Sequence, residues 1–136
     1  MGNQQILILV IAVVIIGIAV AVGVTLFRDA AASSNRDQLV ADLAQYGVRA
    51  QAYYRRPSAF GGGQSSFNGL SMDKITGTAK NMNGTYALDP DPVAGTPASI
   101  KLVGIGTEMG LNGASPVKVV MMVFPDTMRV DETVGN

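Results

Sequence analysis

The sequence predicts an α+β fold in which a long N-terminal α-helix carries a small C-terminal antiparallel β-meander on its second half. Three observations predict this arrangement. The chain of 136 residues contains one long apolar run without a charge, residues 6–27, and an amphipathic stretch, residues 28–56, follows it directly. All six prolines and 12 of the 16 glycines fall in residues 57–136, where they mark turns between strands. We therefore divide the chain into an apolar helix (1–27), an amphipathic helix half (28–56) and a β-rich head (57–136).

The apolar run is the strongest signal in the sequence. Residues 6–27 carry no charge and a single hydroxyl group, on Thr25. At about 1.5 Å per residue they form a helix about 33 Å long, close to the ~30 Å hydrocarbon core of a bilayer. Val and Ile also favour strands, but a lone strand cannot satisfy its backbone in lipid. A cleaved signal peptide has a shorter apolar core and a basic start, whereas Gln4 and Gln5 are uncharged, so we predict a transmembrane helix.

Residues 28–56 show a helical repeat with one apolar face. The stripe consists of Leu39, Leu43, Gly47, Ala50 and Tyr54, with Val40 and Tyr46 beside it. Pro57 ends the helix, because proline disfavours helical geometry in the residue before it. No residue before Pro57 forces a break, and residues 33–35 are only the stretch that favours a helix least. We therefore predict one helix from about Gln4 to Arg55, about 78 Å long. A small domain cannot bury such a rod, so half of it must lie in lipid or among copies of itself.

Three or four short strands are predicted in the head. Residues 117–124 are apolar on both faces over most of their length, which indicates a central strand. Residues 100–105 form a second strand, in which Gly104 marks a bulge or the close approach of another element. A short strand is expected at 85–88, and an edge strand with exposed charges at 127–134. Because so few short strands bury too little surface alone, the sheet is expected to pack on the amphipathic helix.

The composition excludes most catalytic chemistry. The chain has no His, Cys or Trp, so it lacks imidazole bases, thiolate nucleophiles and the usual ligands of zinc. Ten Lys and Arg residues balance ten Asp and Glu residues, so no net charge attracts nucleic acid or an anionic membrane surface. We expect a protein that is not an enzyme and has no catalytic residue, cofactor or metal.

Weaker patterns have structural explanations. Residues 104–110 read Gly-x-Gly-x-x-x-Gly, one residue off the dinucleotide-binding fingerprint and with no helix after them, so we expect a turn there. Asp89 and Asp91 can bind calcium with loop carbonyls, but the alternating prolines favour a rigid loop. Asn83 begins a glycosylation sequon. The helix tyrosines and sheet methionines are expected to pack in the core or between subunits rather than to serve electron transfer or a cofactor.

This order of parts resembles a type IV pilin. Residues 1–56 carry the resemblance, as a charge-free apolar segment that continues into an amphipathic half, whereas residues 57–136 agree only in architecture. Family pilins begin at a processed, often N-methylated residue, and Met1 is either that residue or an initiator. Gln5 stands where the family usually has Glu, and residues 21–23 lack the proline that many pilins have there. The family's frequent C-terminal disulfide is absent as well.

The resemblance implies a structural protein of the cell surface, a homopolymer subunit that polymerises through its apolar N-terminal helix into a type IV pilus-like extracellular filament, or fimbrium. Its implied partners are copies of itself in a helical filament, inner-membrane lipid before assembly, and the pilus assembly machinery. It would lie first in the inner (cytoplasmic) membrane and then in the extracellular filament. Two alternatives stay open: a minor pseudopilin of a secretion machine, and a single-pass membrane-anchored binding domain with the helix as its stalk.

The candidate assembly residues are Met1, Gln5, Val14, Ile16, Gly17 and Gly23. In the family, Glu at position five can neutralise the terminal ammonium of a neighbouring subunit inside an apolar core, where an unpaired charge is costly. Gln5 can accept a hydrogen bond but cannot cancel that charge. Val14 and Ile16 are expected to lie in the filament core, which does not tolerate an unpaired charge. Gly17 and Gly23 mark either points where the helix loosens or small contacts that let neighbouring helices approach closely.

Overall fold

The computed structural model describes residues 2–134. Its elements are a long helix α1 (Gly2–Arg55), a 3-10 turn (Ser58–Phe60), a short helix α2 (Met72–Ile75) and four strands, β1 (Gly84–Asp89), β2 (Ile100–Met109), β3 (Pro116–Val123) and β4 (Met128–Val134). The strands form one antiparallel sheet in the order β1-β2-β3-β4. The predicted α+β arrangement, one long helix with an antiparallel meander, is confirmed.

Helix α1 is unbroken over 54 residues and is therefore about 81 Å long. It ends one residue before the position that Pro57 restricts, and the Arg56 N–H still donates to the Ala52 carbonyl at 3.1 Å. Arg55 in the last turn places a positive charge at the negative end of the helix dipole. Residues 33–35, where the sequence of this stretch favours a helix least, are also helical.

The order of the strands agrees with the prediction in most respects. The strand predicted at 117–124 is β3, which lies between β2 and β4, and the predicted edge strand is β4. Strand β2 is longer than predicted and continues to Met109, so the turn expected over residues 104–110 is wrong. The chain turns after Met109 instead, before β3 begins at Pro116.

Glycines in β2 let the sheet lie close to α1, which explains why this glycine-rich pattern stays in a strand. A Cβ atom on Gly106 would lie 2.0 Å from the Asn35 Oδ1, and one on Gly104 would lie 3.3 Å from a Leu43 methyl group. The close approach predicted at Gly104 is thus confirmed. Side chains at these positions would push the helix away from the sheet and open the core.

The core lies between α1 and one face of the sheet. Side chains along β1 alternate strictly between buried and exposed, as expected for a strand with one covered face. The helix contributes side chains that are fully buried, Leu39, Leu43 and Ala50. The rings of Tyr46 and Tyr86 meet edge to face with their centroids 5.0 Å apart. The stripe predicted on α1 is therefore the face that holds the sheet.

Residues 56–75 pack around the C-terminal end of α1. Phe67 is fully buried, and its ring centroid lies 4.8 Å from that of Tyr54. Tyr54, predicted on the buried stripe, is only half-buried. Tyr53 is buried instead, and its hydroxyl donates to the Asn68 carbonyl at 2.9 Å. Helix α2 was not predicted, because four residues are too few for a periodic pattern.

The β3–β4 turn and the β2–β3 turn lie at opposite ends of the packed half of α1. At the C-terminal end, the Gln51 side chain donates to the Phe124 carbonyl at 2.9 Å, and Arg55 pairs with Asp126 at 3.4 Å. Strand β2 runs the other way, toward the N-terminus of α1, because Gly104 lies against Leu43 and Gly106 against Asn35. The turn between β2 and β3 therefore lies beside the end of the apolar segment.

Candidate assembly surface

The apolar half of α1 projects from the head without covering by any described part of the chain. Every residue from 2 to 30 is exposed, and the large apolar side chains of residues 6–27 are between 49% and 76% exposed. None of this apolar stretch is buried within the described part of the chain. The segment is long and apolar enough to cross a membrane.

The segment also has few unsatisfied polar groups. Its backbone N–H and C=O groups bond within the helix, as hydrocarbon requires. Its single hydroxyl, on Thr25, donates back to the Ala21 carbonyl at 3.1 Å. When this surface moves from water into lipid or among other apolar helices, apolar area is therefore removed from water. The Thr25 hydroxyl keeps its hydrogen bond, so no hydroxyl donor is left unpaired.

The predicted assembly residues lie along this segment and do not converge on one point. Gln5, Val14 and Ile16 are all exposed. Gly17 and Gly23 are open, because an added Cβ at either would meet no atom within 4 Å apart from the adjoining helix backbone and chain neighbours, and the helix continues through both of them. Met1 lies outside the described residues. A role for these positions therefore requires a partner outside the chain.

A cleft, which we call the junction cleft, lies where the apolar segment meets the head. Thr25, Phe27 and Arg28 of α1 line one side, and residues 107–111 at the end of β2 line the other. Its volume is about 550 Å³. The exposed apolar side chains of Phe27, Met109 and Leu111 border this cleft, so the apolar surface of the helix continues onto the head.

A polar cluster fastens α1 to β1. The Asp42 carboxylate accepts hydrogen bonds from the Tyr86 hydroxyl and, at 2.8 Å each, from the side-chain amides of Asn81 and Asn83. The Asn81 Oδ1 in turn accepts from the backbone N–H of Gly84 at 3.0 Å. Asp42 is not among the residues of the predicted stripe, and sequence reasoning did not predict this role. The only signal was its position next to Leu43, at the edge of that stripe.

The cluster shifts two pKa values in opposite directions. Burial by itself raises the pKa of Asp42, but the hydrogen bonds from Tyr86, Asn83 and Asn81 outweigh it and lower the pKa below its ordinary value of 3.8. Burial and the hydrogen bond to Asp42 raise the pKa of Tyr86 well above its ordinary value. Asp42 is therefore a carboxylate and Tyr86 a neutral donor at neutral pH, as the hydrogen bond between them requires.

Asn35 is a second polar residue that sequence reasoning did not single out as functional. It is buried on α1, where its amide donates to the Asn83 carbonyl at 2.8 Å and its Oδ1 accepts from the Glu108 N–H at 3.5 Å. A buried amide with both ends bonded fixes the position of one element against another. Asn35 therefore anchors the end of β2 to the helix, close to the junction cleft.

A second cleft, of about 380 Å³, lies near the C-terminal end of α1. Its lining includes three cationic side chains, Arg49, Arg56 and Lys74. Arg49 donates to the Ile75 carbonyl at 3.0 Å, and Lys74 donates to the Gly69 carbonyl at 2.7 Å. The ion pairs found in the described residues, Arg36–Asp37 and Arg55–Asp126, include none of the three. This basic cleft can attract an anionic group.

The remaining sequence patterns occupy structural positions. Asp91 accepts a hydrogen bond from the Met72 N–H at 3.2 Å, which ties the proline-rich loop to α2. Within residues 2–134, no group of three His, Cys, Asp or Glu side chains is placed to hold a metal ion. The amide nitrogen of Asn83, which a glycan would use, donates to Asp42. The tyrosines of α1 pack in the core, as expected.

Comparison of the chain with models of known protein families, with curated proteins and with solved structures finds no match.

Proposed function

We propose that this protein is the structural subunit of a type IV pilus-like filament and polymerises through the apolar half of α1. One observation carries the proposal. A charge-free helical segment of 22 residues is exposed over its whole length and is continuous with the helix that carries the head. The same surface suits two environments in turn, the membrane before assembly and a bundle of identical helices afterwards.

The proposed mechanism is an exchange of solvents. In the membrane, lipid surrounds residues 6–27; in the filament, the same residues of neighbouring subunits do so. Little hydrophobic energy separates these two states, because lipid chains and apolar side chains are similar environments. Exposure to water is different, since each buried large apolar side chain contributes about 1.5–3 kcal/mol. Subunits therefore move from lipid to filament without dissolving, and the head contacts repeat from subunit to subunit as a helical array.

The candidate assembly residues have separate roles in this proposal. Val14 and Ile16 pack between neighbouring helices in the filament core. Gly17 and Gly23 leave open spaces on the helix surface where a neighbour can approach. Gln5 offers an uncharged hydrogen-bonding group near the terminus of the next subunit, and Met1 is the processed and methylated terminus that the family resemblance implies. Assembly machinery in the inner membrane would extract the subunit, and the filament would be displayed outside the cell.

The test is filament formation by a charged variant of the core. Val14→Asp should abolish filaments seen by negative-stain microscopy of sheared surface material, because an unpaired carboxylate would lie in apolar packing in every subunit. Ile16→Lys should act in the same way. The matched control is Ile105→Asp, which places the same charge at an exposed apolar position in the head. Normal filament yield from Val14→Asp would overturn the proposal, whereas long filaments in the parent would distinguish a pilin from a pseudopilin, which forms short assemblies.

A second function, a membrane-anchored binding domain, is favoured by the basic cleft. Arg49, Arg56 and Lys74 gather three positive charges around one space on a chain with no net charge. In this role α1 is the anchor and stalk, and the cleft takes an anionic ligand. Such a protein would stay with the membrane after shearing and require detergent for its release. The distribution between the sheared fraction and the membrane therefore decides between the two functions.

A further inference from the structure

The turn between β2 and β3 lies level with the end of the apolar segment. Across the junction cleft, Met109 and Leu111 are on the opposite side from Phe27 and Arg28. Phe27 is the last residue of the charge-free run, and Arg28 is the first charge after it. If residues 6–27 fill the ~30 Å of hydrocarbon, Phe27 lies at its boundary with the lipid headgroups. The turn then lies at the same height.

The chemistry of this turn suits that boundary. Met109 and Leu111 are large apolar residues, yet they are 55% and 52% exposed. Residues 109–117 contain no charged side chain. Asn112 accepts hydrogen bonds from the N–H groups of Ala114 and Ser115, and the Gly110 N–H donates to the Ser115 carbonyl at 2.9 Å. The turn satisfies much of its own backbone, so leaving water costs it little.

We propose that the β2–β3 turn is a second membrane contact, which inserts Met109 and Leu111 into the interfacial layer of the bilayer that α1 crosses. The proposal rests on the membrane stage of the proposed function. The occupant is lipid because the apolar surface of the turn continues that of the spanning segment around the cleft. The charges beside it are Arg28, Asp29 and Glu108, which sum to −1. The contact is therefore apolar and does not depend on anionic lipid.

Such a contact would fix the head on the membrane before assembly. A helix alone holds the head at one point and leaves it free to tilt and rotate about the helix axis. Contact through the turn adds a second point, held to α1 by the buried amide of Asn35 next to Glu108. Extraction into a filament then requires the turn to leave the interface together with the helix.

The chain offers a clean probe, because it has no tryptophan. Leu111→Trp places the sole tryptophan on the turn, Val14→Trp places it in the spanning segment, and Phe60→Trp is the matched control. Phe60 is an exposed apolar residue of the head, 76% exposed, but it lies beyond the far end of α1, roughly 40 Å from the level of Phe27. The full-length variants are reconstituted in phosphatidylcholine vesicles with and without acyl chains carrying bromine, which quenches tryptophan only on contact.

We expect brominated lipid to remove most of the emission of Val14→Trp and about half of that of Leu111→Trp, and to leave Phe60→Trp unchanged. Quenching of Leu111→Trp should not change with salt, since the contact is apolar. Quenching of Val14→Trp without quenching of Leu111→Trp would overturn the proposed contact between the β2–β3 turn and lipid. It would still agree with a membrane-spanning role for residues 6–27. A blue-shifted but unquenched Leu111→Trp would show that another copy of the chain covers the turn, which also overturns the proposal. Absence of quenching at Val14 would reject the membrane stage itself.

Because tryptophan prefers membrane interfaces, a second probe tests the same site without an aromatic ring. The chain also has no cysteine, so Leu111→Cys and Phe60→Cys each carry a single nitroxide label. We expect the label at position 111 to be more accessible to oxygen than to a water-soluble nickel chelate, and the label at position 60 to show the reverse. Equal accessibility profiles at the two positions would contradict a contact between the turn and lipid.

Discussion

The two halves of α1 share one backbone conformation and have opposite surroundings. Leu9 in the first half is 66% exposed, whereas Leu43 in the second half is 0% exposed, although both are leucines of the same unbroken helix. The second half obtains its burial from the sheet of its own chain. The first half has no such cover among the described residues, and in the proposed function lipid or other subunits supply it. Helix formation is thus a local property here, and burial depends on the partner.

The polar groups of the two halves differ in the same way. Within residues 6–27 of the first half, the one side-chain hydroxyl, on Thr25, donates to the carbonyl of Ala21 in its own helix. In the second half, Asn35 and Asp42 bond to residues of the β-rich head that are distant in sequence. Such bonds fix one register between helix and sheet, since a shifted register would leave buried donors unpaired. In the proposed function the first half exchanges lipid for neighbouring subunits, whereas the second half is fixed to the sheet of its own chain.

Removal of the first half should produce the largest effect. Residues 29–136 should be soluble and monomeric without detergent, because the exposed apolar surface is gone while the core is kept. The full chain should require detergent or lipid. Size-exclusion chromatography and circular dichroism measure both properties, and the fragment should show mixed helix and strand signals. An all-helical or unfolded spectrum from the fragment would contradict the independence of the head.

Shortening one leucine in each half tests the same contrast within the full chain. Leu43→Ala should lower the free energy of unfolding of the head by ~3 kcal/mol, because it opens a cavity in a filled core. Leu9→Ala, its matched control, should change it by less than ~0.5 kcal/mol. Denaturant unfolding in detergent micelles, followed by the tyrosine circular dichroism signal, measures both. Equal losses in the two variants would show that the first half also packs on the head.

The attachment of the second half to the sheet should weaken in acid. Because the pKa of Asp42 is lowered in the folded head, its contribution to stability is complete above the unfolded pKa of about 3.9 and is lost as the pH falls through the lower folded pKa. Asp42→Asn should cost ~1–2 kcal/mol at neutral pH, since an amide cannot accept from all three donors. It should also flatten the acid dependence of the unfolding free energy below about pH 4.

The control for this prediction is Asp37→Asn. Asp37 lies on the same helix, but it is exposed and its contact with Arg36 is long, at 3.8 Å. A contact of this kind contributes little to stability. If Asp37→Asn and Asp42→Asn change the acid unfolding of residues 29–136 equally, the three hydrogen bonds to Asp42 are not the source of the pH dependence.

Substitutions at Gln5 should have the smallest effect, and they test what the exposed half requires of a partner. We expect Gln5→Glu and Gln5→Leu both to be tolerated, because residue five lies exposed near the terminus, where either neighbour can adjust. Filament length and yield beside the parent measure the result. Loss of filaments in Gln5→Leu with retention in Gln5→Glu would show a polar docking role. The opposite pattern would show that the charge pairing of the pilin family does not apply to this chain.

Much of the fold could be predicted because it depends on local patterns. The apolar run, the stripe through Leu39 and Leu43, and the alternating strands each repeat with a period that the sequence displays directly. Contacts between elements do not repeat in this way. The extension of β2 through Gly106 depends on the approach of Asn35 from α1, and the junction cleft depends on where the turn after Met109 ends. The candidate assembly residues were all predicted on the N-terminal helix, because local patterns do not show which parts of the head lie beside it.

The sequence by itself determined the long helix, its division into an apolar and an amphipathic half, and the antiparallel meander of the head, since each follows from propensity and periodicity along the chain. The tertiary structure decided which polar residues matter. Asp42 is an ordinary exposed-face carboxylate by its position in the sequence, and it becomes the acceptor of three hydrogen bonds only because the chain brings Asn81, Asn83 and Tyr86 to it. The height of the β2–β3 turn beside Phe27 likewise follows from the register of sheet on helix, a distance between residues that no local pattern encodes.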